Sequence, residues 1–261
     1  MAQRTFFGTV RLAVLLAVLL FVAVGAWLDH SHTTSWTSTL RVTVYPVAAD
    51  DDPGTLSYVA SLDETSFEDT TQYFVSEAHR YGLALAEPVR VRVSHAAPGT
   101  PPPPPASPGP LSIALWSLHL RYWAARVQAN DPLPPPDVQV FAIFHGGAGG
   151  RAVPDSLGLS KGLMAVAHLY AGDRAAGSNQ VVLAHELLHT LGATDKYDPA
   201  TGQPRDPDGL GDPQIEPRYP QRTAELMAGR IAISPRTAAV PESLRVTSIG
   251  PLTAREIGWV R

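Results

Sequence analysis

Two histidines and a glutamate lie close together in the segment VVLAHELLHTLGATDKYD, which runs from Val181 to Asp198. His185 and His189 are four residues apart, so on a helix their imidazole rings project from one face, one turn apart. That spacing lets two ring nitrogens bind one zinc ion at about 2.0–2.1 Å each. Glu186 follows the first histidine, and in the HExxH pattern this carboxylate is the general base rather than a metal ligand. The segment therefore predicts a zinc site with an adjacent base.

A helix over Asn179–Leu191, with Ser178 as its N-cap, would present these side chains. The alternative is an ordinary core helix whose histidines find hydrogen-bond partners. A zinc ion would account for His185, Glu186 and His189 together. Without it, polar and charged side chains would lack partners, which is costly among the apolar neighbours Leu183, Leu187, Leu188 and Leu191.

The chain beyond this helix supplies a candidate third ligand. Gly192 is placed to end the helix in a left-handed conformation, and Asp195 follows three residues later. Here the sequence resembles the metzincin metallopeptidases, whose motif is HExxHxxGxxH with a later Met-turn. Asp195 stands where most of that family has histidine, although the snapalysin-like members have aspartate there. The segment AELMAG, residues 224–229, places Met227 at the Met-turn.

The resemblance implies an α+β, metzincin-like zincin domain over residues 39–261, with a mixed twisted sheet, an active-site helix and a small C-terminal subdomain. It implies that Met227 forms an apolar floor under the metal. It also implies that Leu163–Tyr170 is the edge strand that binds the substrate backbone. A closing helix is expected over Pro251–Trp259, with a capping box from Thr253 to Glu256.

Other residues offer alternative roles. A gluzincin scheme would take its third ligand from Glu216 or Glu225, but Pro217 and Pro220 disfavour a helix around Glu216. Tyr197 is a candidate oxyanion stabiliser, with packing against the helix end as its alternative. The segment Asp206–Asp212 is a candidate Ca²⁺ site that lacks EF-hand spacing, and a solvated loop is its alternative. The single histidines His30, His32, His145 and His168 are expected to be structural or adventitious.

Hydrophobic periodicity predicts the elements that must position the site. Strands are expected at Thr39–Val47, Pro88–His95 and Val138–His145, the last of these central in the sheet. Helices are expected at Ser66–Tyr81 and Leu111–Asn130. The proline-rich stretch at residues 98–110 is expected to be an extended surface insertion, with a polyproline ligand as its alternative.

The N-terminal region contains 17 residues without a charge, from Leu12 to Leu28, after Arg4 and Arg11. Residues 1–28 therefore predict a single-pass anchor in the inner (cytoplasmic) membrane, followed by a polar spacer at residues 29–38 and an extracytoplasmic domain. A cleaved signal peptide, which would leave a secreted or periplasmic protein, is the alternative.

Composition limits the function classes. The chain has no cysteine, which excludes disulfides and thiolate metal sites, and a net charge of −4 disfavours nucleic acid as a partner. The expected function is a Zn²⁺-dependent endopeptidase that acts on protein or peptide substrates through a zinc-activated water. The alternatives are a non-enzymatic binding protein on a peptidase scaffold and a zinc amidase acting on cell-wall peptides. The sequence leaves the oligomeric state open.

Overall fold

The computed structural model describes residues 34–107, 109–147, 156–159 and 163–260. The predicted membrane segment at residues 1–28 lies outside these ranges, as do His30 and His32. Within the described ranges, no helix is long and apolar enough to cross a membrane.

A five-stranded sheet forms the centre of the molecule, with the strand order β2-β1-β3-β5-β4. Its strands are β1 (Leu40–Ala48), β2 (Val89–Val93), β3 (Val138–His145), β4 (Leu157–Leu159) and β5 (Met164–Tyr170). All neighbours are parallel except β4, which is antiparallel to β5. The prediction of a mixed fold of strands and helices, with Val138–His145 central, is confirmed. The prediction that Leu163–Tyr170 is the edge strand is wrong, because β5 lies between β3 and β4.

In the part of the chain that the structure describes, five α-helices accompany the sheet: α1 (Pro53–Ser61), α2 (Glu68–Arg80), α3 (Pro110–Asn130), α4 (Ala176–Thr190) and α5 (Pro251–Glu256). The predicted helix at Ser66–Tyr81 is present as a 3₁₀ turn, Glu64–Phe67, that leads into α2. α1 was not predicted. It begins where the Asp52 side chain accepts a hydrogen bond from Thr55 N, next to a proline in the first turn.

Strand side chains alternate between two apolar clusters on opposite faces of the sheet. Val42 and Val44 of β1 face a large cluster that includes residues of α2 and α4, whereas Tyr45 faces a smaller cluster formed with α3. β3 is buried along almost its whole length. The sheet is therefore covered by α2 and α4 on one face and by α3 on the other.

The C-terminal part is built from short elements. β6 (Ala224–Glu225) pairs with β9 (Thr247–Ser248), and β7 (Ile231–Ser234) pairs with β8 (Thr237–Ala239). The expected closing helix is present as α5, but its N-cap residue is Gly250 and has no side-chain hydrogen bond. The capping box predicted from Thr253 to Glu256 is wrong, because both side chains bind elsewhere, as described below.

Two segments expected to lie outside the packed domain contact it. Trp36, in the predicted spacer, is buried, and its indole donates to the Ile257 carbonyl at 2.7 Å. Its ring lies 5.6 Å from that of Trp259, edge to face. In the proline-rich stretch, the Pro102 carbonyl accepts a hydrogen bond of 3.0 Å from the Trp116 indole of α3.

Candidate metal centre

Helix α4 carries both histidines and is held firmly against the sheet. The Asn179 side chain accepts a hydrogen bond of 3.1 Å from Tyr170 N and donates one of 2.8 Å to Tyr170 O. Both polar atoms of this side chain are therefore bound to the backbone of β5. α4 begins at Ala176, two residues before the predicted N-cap. Ser178 is not that cap, because its hydroxyl donates to the Ala175 carbonyl instead.

The end of α4 confirms the predicted role of Gly192, which has a φ of 101°. Because that conformation is difficult for residues with a Cβ, glycine lets the chain reverse here. Ala193 N then donates to Leu188 O at 3.0 Å, which fixes the reversed chain on the last turn of the helix. The reversal carries Asp195 back toward the two histidines.

Three ligand atoms converge beyond this turn. The Nε2 atoms of His185 and His189 are 3.0 Å apart, and Asp195 Oδ1 lies 3.3 Å from the first and 3.2 Å from the second. Among the described residues, these three form the one group of three or more histidine and acidic side chains placed to hold a metal ion. The structure thus brings together the predicted ligand set.

Hydrogen bonds on the far side of each ring fix its tautomer. His185 Nδ1 lies 2.9 Å from the Leu226 carbonyl, and His189 Nδ1 lies 2.9 Å from the Ala193 carbonyl. Carbonyl oxygens only accept, so both Nδ1 atoms must carry the proton. In neutral rings both Nε2 atoms are then unprotonated, and they face each other and a carboxylate oxygen. Three electron-rich atoms this close together repel one another unless a cation lies between them.

Within this group, His189 attracts a proton when no metal is bound. Burial disfavours a charged ring, but the Asp195 carboxylate, the Ala193 carbonyl and Glu186 outweigh that effect and raise the pKa of His189. Burial likewise opposes ionisation of Asp195, yet the two imidazoles hold the pKa of that carboxyl well below its usual range. The geometry and the electrostatics both favour a bound cation.

The spacing of the three atoms also fits zinc. Ligands at about 2.0–2.1 Å from a tetrahedral ion are separated by about 3.3 Å from each other. The observed separations are 3.0–3.3 Å. A pair of imidazoles and one carboxylate is a donor set used by catalytic zinc, which keeps its fourth position for water or substrate. His185, His189 and Asp195 are therefore the residues that would hold the ion.

The predicted Met-turn lies beside this group. Leu226–Ala228 forms a 3₁₀ turn, Met227 is fully buried, and Gly229 ends the turn with a φ of 65°. Two successive carbonyls of the turn accept hydrogen bonds, one from a histidine of α4 and one from the chain next to Asp195. Leu226 O accepts from His185 Nδ1, and Met227 O accepts from the backbone N of Lys196 at 2.9 Å.

Glu225, the gluzincin alternative, supports this turn and is not in the ligand group. Its fully buried carboxylate accepts from Ala228 N at 3.0 Å, Gly250 N at 3.0 Å and the Thr253 hydroxyl at 2.7 Å. Burial raises the pKa of Glu225, and these hydrogen bonds oppose the rise. The other alternative, Glu216, is likewise absent from the ligand group.

An ion pair between buried Lys196 and partly exposed Glu256 fixes the chain on either side of Asp195. Lys196 Nζ donates to Glu256 Oε2 at 2.7 Å and to the Thr194 carbonyl at 2.7 Å. Glu256 also accepts from Thr194 N at 3.0 Å and from the Thr194 hydroxyl at 2.7 Å. The residues before and after the third ligand are therefore both bound to α5. Sequence reasoning missed this clamp, because Glu256 is distant in the chain.

Glu186 is buried and lines a cavity of about 300 Å³ next to His185. The walls of this cavity are mostly apolar and include Val181, Val182 and Val240. Tyr197 is half-buried and forms an isolated antiparallel bridge with Pro204, while its role at an oxyanion stays a prediction.

The two strand histidines, expected to be separate, form a pair. His145 Nε2 and His168 Nδ1 lie 2.9 Å apart, and His168 lines the same cavity as Glu186. Burial lowers the pKa of His145, and nearby Asp50 opposes that effect. The parallel register that brings β3 beside β5 produces this pair, and single-sequence periodicity carries no signal for it.

The acidic segment Asp206–Asp212 does not form a comparable group in the described part of the chain. Asp206 pairs with Arg218 at 2.8 Å, and Asp212 Oδ1 accepts from Gln214 N at 3.1 Å. These contacts are those of a solvated loop, and the carboxylates do not converge as a calcium site requires.

Comparison of the chain with models of known protein families gave no match, and comparison with curated proteins gave none either.

Proposed function

We propose that this protein is an exported zinc-dependent endopeptidase of the metzincin type. The observation that carries the proposal is the convergence of two Nε2 atoms and a carboxylate oxygen within 3.0–3.3 Å, beside a buried glutamate. The glycine turn after α4, the Met-turn carbonyls and the antiparallel edge strand next to β5 further support the assignment to this type.

The chemistry follows from the residues. Zinc, when bound, would act as a Lewis acid on a carbonyl and lower the pKa of a water molecule. Glu186 accepts the proton of the attacking water and passes it to the leaving amine. The Nδ1 protons of His185 and His189 are bound to carbonyls, which leaves the two Nε2 atoms as the metal-binding atoms. The apolar cavity next to Glu186 receives an apolar substrate side chain.

The test is hydrolysis by the purified full-length chain of unfolded casein and, separately, of cell-wall muropeptides, with zinc content measured on the same samples. We expect chelator-sensitive cleavage of casein. Glu186→Gln should keep stoichiometric zinc and lose activity by about 10²–10⁴-fold, the usual contribution of a general base. Glu64→Gln, at an exposed glutamate, is the matched control and should retain activity.

Three results would count against the proposal. Full activity of Glu186→Gln removes this residue from the mechanism. Zinc binding without hydrolysis of either substrate favours the non-enzymatic binding protein. Cleavage of muropeptides alone favours the amidase.

A further inference from the structure

Helix α3 is apolar on two opposite sides. On the inner side Leu120, Ala124 and Val127 are buried against the sheet. On the opposite side Leu111, Leu115, Leu118 and Tyr122 are 73%, 59%, 66% and 61% exposed. Their spacing of four, three and four residues places these four side chains in one line, which we name the outer stripe.

The outer stripe stands out from the rest of the surface. It holds four of the eight exposed large hydrophobic residues in the described part of the chain. Isolated exposed apolar residues are normal, whereas a contiguous row marks a contact surface. A helix that is apolar all round is typically covered on both sides.

Charge on α3 indicates what covers it. Between Pro110 and Asn130 the helix has Arg121 and Arg126 and no acidic residue, although the whole chain has a net charge of −4. At about 100° per residue, the two arginines lie on either side of the outer stripe. Arg126 reaches along the stripe, since its guanidinium donates to the Tyr122 hydroxyl at 3.2 Å. An apolar row between arginines is typical of helices that lie in an anionic lipid interface.

One aromatic residue fits the same environment. Tyr122 is on the outer stripe, whereas Trp116 and Trp123 pack against the smaller cluster on the inner side of α3. Tryptophan and tyrosine are enriched at the level of lipid headgroups because each combines an apolar ring with a polar group.

The predicted anchor at residues 1–28 would also hold the domain near a membrane. Residues 29–33 separate the predicted membrane segment from the described domain, and five residues span at most about 18 Å. A domain anchored in that way would stay close to the bilayer, which raises the effective concentration of any surface that binds lipid. The metal group is on α4, across the sheet, so a lipid contact through α3 leaves that group accessible.

We propose that the outer stripe of α3 lies in the interfacial region of an anionic lipid bilayer, with Arg121 and Arg126 at the headgroups. The four apolar side chains would enter the acyl boundary, and the helix would lie parallel to the membrane surface. This surface sets the orientation of the catalytic face toward the aqueous compartment.

The chain lacks cysteine, so a single introduced cysteine gives a unique labelling site. The full-length Leu118→Cys variant carries a fluorophore and is reconstituted in phosphatidylcholine vesicles with a quarter phosphatidylglycerol. The matched control is Gln72→Cys, at an exposed position of α2 on the other side of the sheet. We expect several-fold stronger quenching of label 118 than of label 72 by nitroxide lipids, and the reverse order with an aqueous quencher.

A second pair of variants tests the side chains themselves. In a chain labelled at Leu111→Cys, the double change Leu115→Ser and Leu118→Ser should lower lipid quenching, whereas Leu56→Ser, at an exposed leucine of α1, should not. Equal aqueous access at positions 118 and 72 overturns the proposal. The proposal is also overturned if, in detergent without lipid, label 118 becomes protected from the aqueous quencher as the protein concentration rises. That result would indicate that a second copy of the chain covers the outer stripe. None of these readouts depends on hydrolysis.

Discussion

The Nε2 atoms of His185 and His189 lie 3.0 Å apart, and neither carries a proton in the neutral ring, because each Nδ1 proton is bound to a carbonyl. Because Asp195 Oδ1 completes this arrangement, binding of a cation should stabilise the folded domain. With free zinc about 100-fold above its Kd, the gain is about 2.7 kcal/mol, which corresponds to a Tm increase of roughly 5–10 °C.

Differential scanning fluorimetry with and without chelator measures this difference. His189→Ala should melt at one temperature under both conditions. His79→Ala, at an exposed histidine of α2, should keep the full chelator effect. An unchanged Tm of the unsubstituted chain after verified zinc removal would contradict the prediction.

Zinc affinity should fall as the pH is lowered. His189 has a raised pKa, so protons compete with the metal from a pH above the ordinary histidine value downward. The affinity is therefore highest above the pKa of His189 and declines by about tenfold per pH unit below it. Asp195 does not contribute in this window, because its pKa is lowered and it stays ionised.

Competition titrations against a chromophoric chelator between about pH 5.5 and 8 would record the decline. In Asp195→Ala the decline should begin at a lower pH, since the carboxylate that raises the pKa of His189 is gone. Affinity that stays constant over this range would contradict the assignment of His189 as a ligand.

Substitutions of Asp195 and Glu225 distinguish the two candidates for the third zinc ligand, which is Asp195 in the metzincin-like scheme and Glu225 in the gluzincin scheme. Asp195→Ala removes an atom that lies 3.2–3.3 Å from both Nε2 atoms, so zinc affinity should fall by more than the roughly 10–100-fold that loss of an outer partner costs. Glu225→Gln should destabilise the fold by about 1–3 kcal/mol, because it disturbs three hydrogen bonds to a buried carboxylate.

The zinc-to-protein ratio after dialysis against limiting zinc is the measurement. We expect a ratio near one for folded Glu225→Gln and a much lower ratio for Asp195→Ala. The opposite result would restore the gluzincin scheme.

Glu256 is expected to be a positioning residue for the third ligand. Glu256→Gln weakens the contact with buried Lys196, and the cost should be about 1–3 kcal/mol because the carboxylate is partly exposed. Burial opposes ionisation of Glu256, but Lys196 and Thr194 lower its pKa. The stabilisation is therefore present above the unfolded pKa and is lost as the pH falls through the lower, folded value.

Urea unfolding of the unsubstituted chain and of Glu256→Gln over a pH series measures this. The difference between them should be largest near neutral pH and shrink under acidic conditions. Zinc affinity at neutral pH should also fall in the variant, which a purely structural role would not require. Arg255→Gln, next in sequence but outside this clamp, is the control.

Much of the sheet and of the site follows from local patterns. Strand β3 is mostly apolar, and Val138–His145 has the predicted bounds. His185 and His189 are held on one helical face by their spacing alone. Asp195 follows a glycine that ends the helix, so the third ligand also depends on a short stretch of chain. Local spacing therefore predicted which three side chains converge.

Features that depend on distant parts of the chain were missed. α1 is an exception with a local signal, because Asp52 is followed by a proline that suits the first turn of a helix. β4 lies in a glycine-containing region without periodicity, and its strand conformation comes from pairing with β5. The clamp between Lys196 and Glu256 and the contact of Trp36 with Ile257 depend on tertiary packing, for which a single sequence has no periodic signal.

The turn at Gly192 provides a final test of how the site is positioned. Gly192 has a φ of 101°, and an alanine there is expected to cost about 1–2 kcal/mol in backbone strain. Relief of that strain would shift the Ala193 carbonyl, which orients His189, and Asp195 two residues later. Gly192→Ala should therefore lower both the free energy of unfolding and the affinity for zinc.

Gly82 offers a matched comparison, because it has a φ of 77° after α2 and a Cβ there would meet no atom within 4 Å. Gly82→Ala should lower stability by a similar amount and leave zinc affinity unchanged, as determined by urea unfolding and competition titration. If both variants bind zinc as tightly as the unsubstituted chain, the turn does not set the ligand geometry. A selective loss in Gly192→Ala would show that the glycine positions the third ligand, since backbone strain alone is common to both variants.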